Sequence, residues 1–551
     1  MANSNAPFHP IIYVRGFAMT RGEIDETSAD PFCGFNLGST TMRASASDKS
    51  RPRKFVFESP VVRLASDFGY ADVYEDGLDI VDPGWEVDAA GKPTDNALGS
   101  RAIVIYRYYD PASTLFGTGE TPSIEAFAKG LSELVAKVRQ LVVANPRSGV
   151  DTAADFRCHL VAHSMGGLVC RAFLQNPALD PQGVAGSVDK FFTYATPHNG
   201  IDMLGVNVPT WFSAMDISNF NRGARMADYL DLKAAFKRHG AVDLLPEARF
   251  PSQRVFTMVG TNRMDYEAGA GLSRTFVGNG SDGLVKIENA TLRGLNADGS
   301  IGAPCAKAFA YRSHSGFYGI VNSEEAFQNL TRFLFGDVRV DVWMDIDEIR
   351  LPQDVLKAAD DAPKRINALY QIEMQAAPRG KLWYLTRRMA EEDSVAVVAH
   401  ADWLQRKGPC TNYLSTVFLA NRAKVNPRRR SLAYGLTLGV RVPDYEIDQR
   451  LWLNQHFEGG YLFRNALILE LEPPRADGTP WKVKYAWQDA GVASASTGLT
   501  PQQIADQAVE VAVDFDSTTI APDGSRHPTS PGIKGKLRFV IRGWNQGADA
   551  G

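Results

Sequence analysis

A chain of 551 residues has room for two or three domains, and 44% hydrophobic with 22% charged residues is ordinary globular composition. A net charge of −4 leaves no basic footprint, which argues against nucleic acid as a partner. The five cysteines, Cys33, Cys158, Cys170, Cys305 and Cys410, are scattered without Cys-x-x-Cys or mixed Cys/His spacing, so neither a disulfide framework nor a cysteine metal site is expected.

The first ten residues, Met-Ala-Asn-Ser-Asn-Ala-Pro-Phe-His-Pro, form neither a basic nor an apolar leader segment. No later run approaches the ~18 apolar residues of a spanning helix, and the expectation is a protein made and kept in the cytoplasm. Pro10 to Phe17 reads as a buried first strand ending in a turn at Gly16. From about Thr20 to Ser100 the chain is polar and weakly periodic, which suits excursions over a sheet edge. Ala102 to Tyr109 is the next strand, apolar enough to be covered on both faces. Thr121-Pro122 then predicts a helix start, Thr as N-cap and Pro in the first turn, with Ile124, Phe127, Leu131, Leu134, Val135, Val138, Leu141 and Val142 on one face.

Phe156 to Gln175 organises the rest. Cys158 to Ala162 has strand character, and from Met165 the apolar residues Leu168, Val169, Ala172 and Phe173 recur at helical spacing. Ser164 sits on the corner, where Ala162, Gly166 and Gly167 let strand and helix approach; a serine so held projects its hydroxyl above the sheet at a helix N-terminus. Further strands are expected at Phe191 to Ala195, Arg254 to Gly260 and Ala306 to Tyr311. Strands alternating with helices predict a doubly wound, mostly parallel α/β sheet with its site at the carboxyl strand ends. The connection over residues 200–253 begins with Met203, Leu204, Val206, Val208, Trp211, Phe212 and Met215, and reads either as a cap that buries an acyl chain or as ordinary helices on the sheet.

The pattern changes after Gly336. Val338, Val340, Val342, Met344 and Ile346 alternate with Arg339, Asp341, Trp343 and Asp345, the signature of a strand with one wet face. Similar runs at 436–442, 467–471, 509–515 and 537–541 predict a separate antiparallel β-sandwich-like domain over 337–551, after a catalytic domain over 1–336. Its Pro427-Arg428-Arg429-Arg430 cluster is either a peripheral contact for anionic lipid or a solvated loop.

Serine is a weak nucleophile at neutral pH, so it needs a base to take its proton and an acid to orient that base. Among nine histidines, His314 lies just past the last core strand and ahead of a helix opening around Ser323-Glu324-Glu325, which makes it the preferred base. Asp282, in Asn279-Gly280-Ser281-Asp282-Gly283, is the preferred acid. Asp265, nearer the end of the preceding strand, is the second choice.

Tyr13-Val14-Arg15-Gly16-Phe17, Ala162-His163-Ser164-Met165-Gly166-Gly167, Thr196-Pro197-His198-Asn199-Gly200, Ser281 to Val285 and Ser313-His314-Ser315-Gly316 together resemble the α/β-hydrolase lipases and esterases, in particular the bacterial lipase and inositol-deacylase-like branch. The resemblance covers about the first three-fifths of the chain. It implies Ser164 as nucleophile, Asp282 and His314 as acid and base, the amides of Phe17 and Met165 as oxyanion donors, and ester or lipid substrates cleaved without a cofactor or metal. Arg15 replaces a histidine usual in that family; it either orients an anionic substrate or forms an ion pair beneath the loop. Trp211 and Phe212 are the candidate acyl-chain contacts. An acyltransferase with the same triad, a binding protein on the same fold and an exported phospholipase effector are the competing readings.

Overall fold

A computed structural model describes residues 8–16, 39–43, 53–57, 59–73, 98–106, 108, 123–201, 223–264, 280–316, 319–360, 362–381, 383–392, 395–424, 426–447, 455–475, 477–488, 496–505 and 508–545. The chain divides into two compact units, Pro7–Leu334 and Phe335–Gly551.

The first unit is built on seven strands: β1 (Ile11–Val14), β2 (Ala71–Asp72), β3 (Ala102–Ile105), β4 (Cys158–His163), β5 (Val188–Tyr194), β6 (Val255–Gly260) and β7 (Ala306–Ala310). They lie in the order β7-β6-β5-β4-β1-β3-β2, and every neighbouring pair is parallel. The fold of this unit is therefore α/β and doubly wound. Strands β1, β3, β4 and β6 are buried along their whole length, which is why their sequences are continuous apolar runs rather than alternating ones. The strand order reverses at β1, which lies between β3 and β4, and a crevice at the carboxyl ends of such strands is where a doubly wound sheet binds ligands. The register pairs Val14 with Ala162 and Tyr194 with His163, so the residues following all three strands meet at that edge.

Helix α1 (Ile124–Val143) buries Ile124, Phe127, Leu131, Val135, Val138 and Val142 in the core shared with β1, β3 and β4. Its cap is Ser123, whose Oγ accepts the Ala126 N–H at 3.3 Å; Thr121 and Pro122 lie outside the described residues. Helices α2 (Gly166–Gln175) and α3 (Glu324–Phe335) follow β4 and β7, the latter opened by Ser323, whose Oγ accepts the Ala326 N–H. Of the 200–253 connection, the described part holds two short helices, Ala224–Tyr229 and Lys233–His239, and a short strand, Leu244–Pro246, and Met226, Tyr229, Leu230 and Leu232 join the same core. Its apolar start, with Trp211 and Phe212, lies outside the described residues.

The second unit is antiparallel. One sheet runs β10 (Cys410–Leu419), β8 (Val338–Arg350), β15 (Gly532–Gly543), β14 (Ala508–Asp516) and Gln502–Ala505. The other is centred on β9 (Ile366–Pro378), β11 (Leu432–Ile447), β12 (Gln455–Glu472) and β13 (Lys482–Trp487). Val338, Val340, Val342, Met344 and Ile346 of β8 share one core with Ile372, Leu436, Leu467 and Leu537, the interior of a sandwich. The opposite face of β8 departs from the wet face its alternation predicts. Arg339, Asp341 and Asp345 are all buried, and they are satisfied by one another and by neighbouring strands. Arg339 and Asp341 pair at 3.0 Å, Thr416 Oγ1 donates to Asp341 at 2.6 Å, and Thr411 Oγ1 donates to Asp345 at 2.7 Å. Arg538 of β15 closes on Asp345 and also pairs with Glu510 at 3.0 Å. A period-2 pattern reports polarity, and paired charges let a polar face be buried.

Among the described residues no helix is long and apolar enough to cross a membrane.

Candidate active site

Ser164 has φ of 53°, a left-handed conformation that a serine adopts only under constraint. The constraint is visible: β4 delivers His163 in register with Tyr194, the Ser164 N–H donates to the Tyr194 carbonyl at 2.9 Å, and α2 begins two residues later. The serine hydroxyl thus stands over the end of the sheet, at the positive end of a ten-residue helix.

His314 follows β7 at the same edge. Its Nε2 lies 2.9 Å from Ser164 Oγ and its Nδ1 lies 2.9 Å from Asp282 Oδ2. A carboxylate only accepts, so the proton between His314 and Asp282 belongs to Nδ1, which leaves Nε2 bare to accept from the serine hydroxyl. Asp282 is held in turn: its Oδ1 accepts the N–H groups of Leu284 at 3.0 Å and Val285 at 2.8 Å, and its backbone carbonyl accepts the His314 N–H at 3.0 Å. A Cβ on Gly260, at the end of β6, would lie 2.8 Å from Asp282 Cβ, so the acid fits only because this strand ends without a side chain. Asp282 and His314 are 1% and 2% exposed, so the pair is shielded from water and its hydrogen bonds are strengthened accordingly.

The loop carrying His314 is clamped. Arg312 forks onto Glu325 of α3, with Nε–Oε2 at 3.2 Å and Nη2–Oε1 at 3.0 Å, and its carbonyl accepts the Asn262 N–H at 3.1 Å. Beside the elbow, the turn from β4 into α2 that carries Ser164, Arg171 of α2 is fully buried and gives its Nε–H to Gln175 Oε1 and its Nη groups to the carbonyls of His198, Val242 and Leu244, all at 2.8–2.9 Å. Burial lowers its pKa to about 10, yet it stays charged at neutral pH.

The sequence-derived candidates meet different outcomes. Ser164, His314 and Asp282 come together in one hydrogen-bonded chain. Met165 caps α2, and its N–H has no partner among the described residues. Phe17, Trp211, Phe212 and Asp265 lie outside the described residues. Arg15 is half-buried with its carbonyl accepting from Tyr108, and its guanidinium is near enough to His163 to disfavour a charged ring there. His198 is buried away from this chain, its Nε2 3.2 Å from Thr193 Oγ1. Two contributors have no expectation in the sequence reading, Gly260 and Arg171. A strand-end glycine and a helical arginine are too common to single out without their neighbours. Among the described residues no group of three or more His, Cys, Asp or Glu side chains is placed to hold a metal.

No family model and no curated protein matches the chain. Among solved structures, a Bacillus licheniformis lipase in propeptide form aligns over 96% of this chain and 97% of its own, at 10% identity and a TM-score of 0.30. Phospholipase PlaB from Legionella pneumophila aligns over 82% and 90%, at 12% identity and 0.27, and the lin2722 product of Listeria innocua over 59% and 93%, at 12% and 0.25. Likenesses this distant assign no role to any residue.

Proposed function

We propose that the chain is a serine hydrolase of carboxylic esters, of the lipase or phospholipase kind, with the chemistry in residues 1–336 and a separate β-sandwich-like domain in 337–551. The observation that carries the reading is the unbroken chain Asp282–His314–Ser164, anchored on a serine held at positive φ. In this reading His314 Nε2 takes the Ser164 proton as Oγ attacks the ester carbonyl, and Asp282 stabilises the resulting imidazolium. The tetrahedral oxyanion is received by the N–H groups of Met165 and Phe17. His314 then protonates the departing alcohol, leaving Ser164 acylated, and water repeats the sequence to release the acid. Trp211 and Phe212 serve the acyl chain, and Arg15 an anionic part of the substrate.

The test is hydrolysis of a chain-length series of p-nitrophenyl esters and of phospholipid vesicles by wild type and Ser164→Ala, beside labelling by a fluorophosphonate. Long-chain or vesicle turnover that disappears in Ser164→Ala supports a lipid esterase, and short-chain turnover alone a small-ester hydrolase. A wild type that neither turns over nor labels at Ser164 overturns the reading.

A further inference from the structure

His163 immediately precedes the candidate nucleophile, and the reaction outlined above gives it no task. Its side chain is nonetheless engaged: Nε2 lies 2.9 Å from the backbone carbonyl of His314, and the two imidazole rings are neighbours, tilted by 43° with centroids 5.0 Å apart. A carbonyl only accepts, so Nε2 carries the proton. Burial, aided by the nearby His314 ring and the Arg15 guanidinium, holds the His163 pKa well below its ordinary 6.5, so the ring is a neutral donor at working pH. The His314 backbone is consequently gripped on both sides, its N–H by the Asp282 carbonyl at 3.0 Å and its C=O by His163.

We propose that His163 is a positioning residue that ties the base loop to the elbow, fixing His314 Nε2 at attack distance from Ser164 through the His314 main chain. The link runs from the residue adjacent to the nucleophile to the residue bearing the base, so one hydrogen bond sets the separation that proton transfer depends on. This inference rests on the serine hydrolase reading. Small misplacements of a reacting pair cost on the order of 10²-fold in rate.

The test compares wild type, His163→Leu and His163→Gln on the best ester substrate, with melting temperatures and fluorophosphonate labelling rates. Glutamine extends an amide N–H to about the place of the imidazole Nε2–H, whereas leucine offers no donor. The expected result is a His163→Leu kcat reduced roughly 10- to 100-fold with KM nearly unchanged, slowed labelling, and recovery to within a few-fold in His163→Gln. If His163→Leu does not fold, His163→Asn replaces it, since its amide stops short of the carbonyl; its kcat should fall below that of His163→Gln. Wild-type kcat in the donor-free variant, or equal loss in the donor-free and glutamine variants, overturns the proposal. Wild-type labelling at Ser164 keeps that failure distinct from failure of the hydrolase reading, which an unlabelled, inactive wild type would signal.

Discussion

Gly16 and Ser164 approach so closely that a Cβ on the glycine would lie 2.3 Å from Ser164 Cβ and 3.0 Å from Ser164 Oγ. The end of β1 is thus the wall against which the serine is set. Gly16→Ala is expected to displace the hydroxyl from His314 and to lower kcat by about 10² or more while the sheet still forms. Steady-state kinetics with circular dichroism check this, and an active Gly16→Ala enzyme would show that the elbow yields.

The strain at Ser164 should be measurable as stability. A left-handed conformation disfavours any residue with a Cβ by about 1–2 kcal/mol, whereas glycine adopts it freely. Ser164→Gly is therefore expected to melt above Ser164→Ala, with both inactive. Equal melting temperatures would place the constraint elsewhere.

Stability should also fall with acid. Burial lowers His9 from 6.5 to about 4 and holds His163 and His198 well below 6.5. Between those values the unfolded chain binds protons that the folded chain refuses, so the folded state loses stability as pH drops from about 6.5 toward 4. Burial pushes Asp189 up, but Lys190, His159 and His9 bring it down to about 2, so its contribution, full above 3.8, is lost only below that range. A melting temperature unchanged from pH 6.5 to 4 would contradict this.

Removing Arg171 should cost more than any surface charge. Arg171→Met strands the carbonyls of His198 and Val242 without their side-chain donor and leaves that of Leu244 only the longer bond from Gln175 Nε2 at 3.4 Å, a loss of about 3–5 kcal/mol. Arg171→Lys should recover little, because an ammonium cannot reproduce the fork. Denaturant titration of the first unit's transition reads both, and a mild effect would mean that water or another group replaces the guanidinium.

Much of this arrangement is legible in the chain. Ser164 announces itself through a strand-to-helix change of period, and His314 and Asp282 through their places after late strands. The strand interiors are legible for the same reason, since burial on both faces demands uninterrupted apolar runs. The contacts that make the site rigid are not. Gly260 beside Asp282, His163 on the His314 carbonyl and Arg171 under the elbow join residues 22 to 151 positions apart, through partners that are mostly backbone atoms and so leave no pattern of side chains. The buried face of β8 is hidden for a related reason, because alternation distinguishes polar from apolar and cannot tell a paired charge from a hydrated one.

That face carries a consequence for how the second unit assembles. Asp341 answers Arg339, Thr416 and Arg542, and Asp345 answers Thr411 and Arg538, so each carboxylate matches donors on strands distant in sequence. A strand misaligned by one residue would turn these carboxylates into the apolar interior and face valines toward arginines. The ladder thus acts as a proofreading device: it separates the correct sheet from its misaligned competitors chiefly by making the competitors intolerable.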